Sequence, residues 1–404
     1  MTNMKKPIRI NLREATLRRS IRKHLKNLGF QKDSEGQLVP PDLSKDTYRR
    51  LHEGQRQTKL QKNLKFVEQI SPQLLTKFAS GSEVWPEFIT PRLEVVESET
   101  QQSELFRFAS LYWQVPVSNG YGRRMRFLVW DESNNKLVGL IGLTDPVFNL
   151  RARDTLIGWD HKDRAKRLIH MMDAFVLGAV PPYNQLLGGK LIACLVRTKE
   201  VVKLFREKYG SSRGIISGKR KDPKLVAVTT SSALGRSSIY NRLKLGDQTY
   251  FSPIGFTEGF GHFHFPDDLF DDLRKYLQER DDDYWKNHGF GQGPNWRLRA
   301  IRQALYHLGM SAAITHHGLR REVFFCNVAD NAIDILNGNR KRPKYNSLLT
   351  VEEVGILARN RWLAARGVRR PEYREWKHTD LMKAITESIH PPESQGTTRV
   401  VRVR

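Results

Sequence analysis

The chain has 404 residues, enough for two or three domains and a sizeable core. With 39% hydrophobic and 27% charged residues and no apolar run of the roughly 18 residues a membrane span needs, it reads as a soluble globular protein. The opening lysines precede no apolar signal core and the only cysteines are Cys194 and Cys326, so a disulfide framework is excluded, a cytoplasmic setting is expected, and the net charge of +25 calls for a polyanionic partner.

That charge is concentrated at the ends. Residues 1–66 carry 17 Lys and Arg against 6 Asp and Glu, and residues 285–404 carry 21 against 10, whereas 67–284 nearly balance at 30 against 27. Three parts are expected: a basic helical N-terminal module (1–80), an α/β core (81–284) and a basic, aromatic-containing C-terminal region (285–404).

In chain order, residues 11–28 predict an amphipathic helix, capped by Asn11 and stopped by Gly29, with Leu17, Ile21, Leu25 and Leu28 on one face. Arg18, Arg19, Arg22, Lys23 and Lys26 fill the other positions, either as a solvated face or as contacts to nucleic-acid phosphates. A second basic helix is expected from Lys45 to Phe78, broken by GSEVWPEFITP. MRFLVWD and KLVGLIGLTD then read as a hairpin about the turn at Glu132–Asn135, followed by a helix near 161–170 and the strand DAFVLGAV. LVAVTTSS reads as another strand, SSIYNRLKL as a short helix, and GFGHFHFP as a last strand. The acids from Asp267 read as the start of a solvated helix. Beyond them GPNWRLRAIRQAL and HHGLRREVFF mix arginines with aromatics, so Arg297, Arg299, Arg320 and Arg321 are further nucleic-acid candidates, and TTRVVRVR is expected to be an exposed basic end.

Three places offer groups that hold anions. In GYGRRMRF, Arg123, Arg124 and Arg126 precede or open a strand, whose alternation sends Arg124 and Arg126 to one face. In VPPYNQLLGGK, a strand–loop–helix junction presents Gln185, Gly188, Gly189 and Lys190 at a helix N-terminus. In TTSSALGRSS, Arg236 and Ser237 stand at a second such start, where Ser237 also serves as a plain N-cap. For acid/base chemistry the candidates are His262 and His264, which a strand would point the same way, with Tyr183 and Asp173 near the glycine pair. Asp145 reads as a turn residue. A third metal-type ligand is not supplied near the histidines, and neither a metal nor a cofactor is assigned.

The order hairpin, strand, Q-x-x-G loop, helix, strand resembles the GNAT acyltransferase fold, whose pyrophosphate loop reads Q/R-x-x-G-x-G/A; Gln185 and Gly188 match it, and Lys190 replaces its last small residue. A GNAT-like twisted sheet is therefore the fold expected for the core. The strings LYWQVPVSNGYGRRMRFLVWD, LTDPVFNLRARDTLIGWD, MDAFVLGAVPPYNQLLGGKLIACLVRTKEV, TTSSALGRSSIYNRLKL, GFGHFHFPDDLF and GPNWRLRAIRQAL are together similar to the DruA family of the Druantia anti-phage defence system. That resemblance, over roughly residues 12–325, implies a bacterial antiviral component working beside other subunits, among them a large helicase-like protein. The expected role is a DNA-binding subunit, with a CoA-dependent group transferase or a metal-dependent nuclease around His262 and His264 as alternatives.

Overall fold

The computed structural model describes residues 11–212, 218, 221–280 and 295–386; the basic end TTRVVRVR and the expected boundary at 284/285 lie outside the described residues. Helix α1 (Leu12–Asn27) begins where the Asn11 side chain accepts from the Glu14 amide at 2.8 Å, and the chain leaves it through Gly29 at φ +84°. A two-stranded hairpin, β1 (Gln31–Lys32) and β2 (Leu38–Val39), leads to α2 (Lys45–Leu75), which Ser44 caps. Next come β3 (Pro91–Val95), α3 (Gln101–Ser110), β4 (Arg124–Asp131) and β5 (Lys136–Thr144), the last two joined by the expected turn at 132–135. The chain continues through α4 (Arg151–Ile157), α5 (His161–Arg167), β6 (Met171–Ala179), α6 (Gly188–Leu195) and α7 (Lys199–Tyr209). After these follow β7 (Ala227–Ser231), β8 (Leu243–Leu245), β9 (Gln248–Phe256), α8 (Asp267–Glu279), α9 (Trp296–His307) and β10 (Glu322–Asn327).

Eight strands form one sheet in the order β3-β4-β5-β6-β7-β10-β9-β8, antiparallel throughout except for β6 against β7. The near-continuous apolar runs of β4 and β5 follow from cover on both faces. Met125, Phe127 and Leu143 pack with Leu191 and Ile192 of α6 and Phe205 of α7, while Leu128, Trp130 and Leu140 pack with Phe106 of α3 and Leu60 of α2. A separate core joins Leu17, Ile21 and Leu25 of α1 to Leu269 and Leu273 of α8 and Ile301 and Leu305 of α9. The basic N-terminal helix is therefore packed onto elements some 250 residues away in sequence. β10, drawn from the expected C-terminal region, lies inside the sheet between β7 and β9.

Two expected elements are corrected. SSIYNRLKL is not a helix: the Ser237 hydroxyl accepts from the amides of Ile239 (3.1 Å) and Tyr240 (3.2 Å) to close a turn, Arg242 adopts φ +57°, and Leu243–Leu245 form a strand. GFGHFHFP is not a strand: Gly259 sits at φ +69°, the Phe265 amide turns back to the His262 carbonyl at 3.0 Å, and only Phe260 forms a β-bridge, with His316. In both places a side-chain or glycine turn outcompetes the repeating pattern.

Candidate functional site

The parallel pairing of β6 and β7 lasts only from Met171 to Ala174, opposite Ala227 to Thr230. Beyond it β6 runs on to Ala179 beside β5, and a cavity of 640 Å3 opens between Ala179, Gly189 and Lys190 on one side and Ala233 and Ser238 on the other. Two loops singled out separately in the sequence thus meet. Their polar groups are largely engaged within the chain: the Gly188 amide donates to the Tyr183 carbonyl (2.8 Å), the Lys190 amide to the Leu187 carbonyl (2.9 Å), and the Lys190 ammonium lies over the Trp362 ring. The Gln185 carbonyl accepts from Arg366 (3.1 Å), the Ser237 amide donates to Glu322 (3.2 Å), and Arg236 is exposed. Tyr183 is buried away from this cavity, donating to Asp131 at 3.1 Å and accepting from the Asn134 amide at 2.9 Å; burial beside that carboxylate pushes its pKa up.

A larger cavity, 1630 Å3, is bounded by the 145–150 loop, α4, α5, the end of β9 and the first turn of α9. Arg123 helps to build its wall. Its guanidinium pairs with Asp145 at 2.7 Å and donates to the carbonyls of Ile169 (2.7 Å) and Met171 (3.1 Å). Gly122, at φ +63°, brings the backbone so near that a Cβ would overlap the Asp145 carboxylate. Arg153, fully buried, donates to the carbonyls of Val147 (2.8 Å) and Phe148 (2.9 Å) and pairs with Asp154, which also accepts from Arg164 at 3.0 Å. These bonds anchor the loop, and its Phe148 lines the cavity while staying 40% exposed. Arg124 and Arg126 do share one face of β4, opposite the buried Met125, where Arg126 sits over Phe106.

Asp173 is the third residue of β6 and does not line this cavity. It accepts from the Thr229 hydroxyl at 2.7 Å, and burial pushes its pKa up to about 6, partly opposed by that bond and by Arg153. Tyr121, which lines the cavity, has its pKa raised by burial and by the carboxylates Asp173 and Asp145.

The histidines separate. His262 lines the large cavity, and burial, then Arg297, lowers its pKa to about 4. His264 is buried, donates through Nε2 to the Ile314 carbonyl at 2.9 Å, and is likewise lowered to about 4, chiefly by burial. With the strand gone, the same-face argument for a metal pair falls, and among the described residues no group of three or more His, Cys, Asp or Glu is placed to hold a metal ion. His264 belongs to a buried junction with His317 and His52. The His52 ring stacks on Phe263, donates to the Tyr48 carbonyl (2.8 Å) and accepts from Arg321 (2.8 Å).

The cationic candidates divide in the same way. On α1, Arg19, Arg22, Lys23 and Lys26 are exposed and Arg18 is half-buried, and none makes an ion pair among the described residues. Arg297 is spent on Asp267 (2.6 Å) and the Phe265 carbonyl (2.7 Å), and Arg321 on His52, whereas Arg299 and Arg320 are exposed. Reading the sequence missed Phe148, Arg153, Arg164 and Phe260; the string RARDTLIGWDHKDR crowds Arg153 and Arg164 with acids and a tryptophan, which signals paired charges but not their partners.

Fold and site together define a mixed α/β protein on one mostly antiparallel sheet, with a broad aromatic and charged cavity and an exposed cationic helix face. No helix among the described residues is long and apolar enough to cross a membrane. The family model described as Druantia protein DruA matches residues 42–338, and a Druantia protein DruA from Escherichia coli (strain UMEA 4076-1) is 50% identical over 395 residues, 98% of each chain. The chain belongs to the DruA family, and so to the components of the Druantia anti-phage defence system. No solved structure matches it.

Proposed function

We propose that the protein is a DNA-binding subunit of the Druantia system, acting beside other system proteins that include a helicase-like subunit. The observation that carries this reading is the outer face of α1: four exposed cations that make no ion pair among the described residues, on a helix whose other face is locked into a core. Such a row releases counterions when it meets a phosphate backbone. Arg299 on α9, which shares that core, and Arg320 extend the supply of exposed charge. Because α1 contributes Leu17, Ile21 and Leu25 to the core, deleting it would disrupt packing, and charge reversal is the cleaner test. Arg19→Glu, Arg22→Glu, Lys23→Glu and Lys26→Glu combined are expected to lower duplex affinity at least tenfold at low salt with the fold intact; unchanged affinity ends the reading.

A second reading is supported by the sheet. An antiparallel run ending in a short parallel pair, with a glycine loop and helix after the first parallel strand, is the arrangement expected of a GNAT-like core, and the smaller cavity lies where that pair parts. The engaged amides of Gly188 and Lys190 and the position of the Lys190 side chain fit a CoA pyrophosphate poorly, so CoA-dependent group transfer ranks second. It requires CoA to raise the melting temperature and Gly189→Asp to cancel the rise; a melting temperature indifferent to CoA removes it.

A further inference from the structure

We propose that the 1630 Å3 cavity receives a nucleotide of a single strand, its base stacked on Phe148 or Phe260; this rests on the nucleic-acid reading only for the class of partner. Two phenylalanines from distant segments line the cavity while keeping 40% and 38% of their surface exposed, although His161 packs against the Phe148 ring at 5.1 Å and His316 against the Phe260 ring at 4.8 Å. Each is backed by a guanidinium, Arg164 at 5.4 Å from the Phe148 ring and Arg302 at 5.6 Å from the Phe260 ring. An aromatic face with an adjacent arginine is the pairing that takes a base and its phosphate together.

Charge and size favour the same ligand. The wall acids Asp145, Asp154 and Glu258 are answered by Arg123, Arg164 and Arg151, while Lys221, exposed at the rim, makes no ion pair among the described residues, so the uncompensated charge there is positive. The volume exceeds the roughly 300–1,000 Å3 of an ordinary small-molecule pocket, which suits a polymer passing through more than an enclosed metabolite. The same α9 that contributes Leu298 to the lining presents Arg299 and Arg302 to solvent, and it packs in one core with α1.

The test compares a short single-stranded oligodeoxynucleotide with a duplex. Phe148→Ala with Phe260→Ala is expected to weaken single-strand binding by about tenfold or more, the usual cost of losing a stacking ring, and to leave duplex binding through α1 as it was. Phe148→Tyr with Phe260→Tyr is expected to bind like the native chain, and Lys221→Glu, a surface change that spares the fold, to weaken the single strand. If the alanine pair and Lys221→Glu both bind the single strand as the native chain does while duplex binding persists, the cavity proposal is overturned and the DNA-binding reading stands. If single-strand binding depends on the two rings while the α1 reversal leaves duplex affinity untouched, the cavity proposal stands and that reading fails.

Discussion

At Gly188 a Cβ would stand 2.6 Å from the Tyr183 carbonyl oxygen, backbone that cannot yield, whereas at Gly189 it would stand 3.2 Å from the tip of Ile239, a side chain bordering a cavity. The adjacent glycines therefore serve different ends, one close packing and the other a cavity wall. Gly188→Ala is expected to lower the melting temperature by several degrees and Gly189→Ala to change it little, which a thermal melt of each reads directly. The buried histidines make a second residue-scale case. His52 and His264 fold with pKa values near 4, below the ordinary 6.5, because burial disfavours their charged forms. The unfolded chain binds the extra protons, so their stabilisation is complete above about pH 6.5 and is lost as pH falls toward 4, on the order of 1 kcal/mol per histidine by pH 5. Urea denaturation at pH 7 and pH 5 is expected to show that fall, and to show less of it in His52→Gln.

At the scale of elements, α1 was legible because three signals agreed: a cap at Asn11, leucines and an isoleucine at helical spacing, and a glycine stop. The β4–β5 hairpin was legible from two apolar runs flanking a polar turn. The misread segments are those where local chemistry beats periodicity. Alternating aromatics in GFGHFHFP imitate a strand, yet Gly259 turns the chain and the Phe265–His262 bond folds it back, so His264 is buried instead of aligned with His262. The large cavity escaped reading because its wall is assembled from five separate segments, and nothing in RARDTLIGWD announces that Arg153 will donate to the carbonyls of Val147 and Phe148. The α1 packing supplies its own test. Ile21, fully buried, is expected to cost about 2–4 kcal/mol on truncation to alanine, read by denaturant melts, while the charge reversals on the opposite face stay within about 0.5 kcal/mol.

Across the whole molecule, the basic side chains are sorted by folding into spent and unspent cations. Arg123, Arg153 and Arg297 hold carbonyls and Arg321 the His52 ring, while Arg19, Arg22, Lys23 and Lys26 make no ion pair among the described residues. This sorting, invisible in a residue count, is what the proposed phosphate-binding face of α1 rests on. The salt dependence of duplex DNA binding tests it most directly. Each lost phosphate contact removes about 0.9 from the slope of log affinity against log salt, so the fourfold reversal on α1 is expected to flatten that slope by roughly three to four units. A variant whose slope matches that of the native chain would contradict the account.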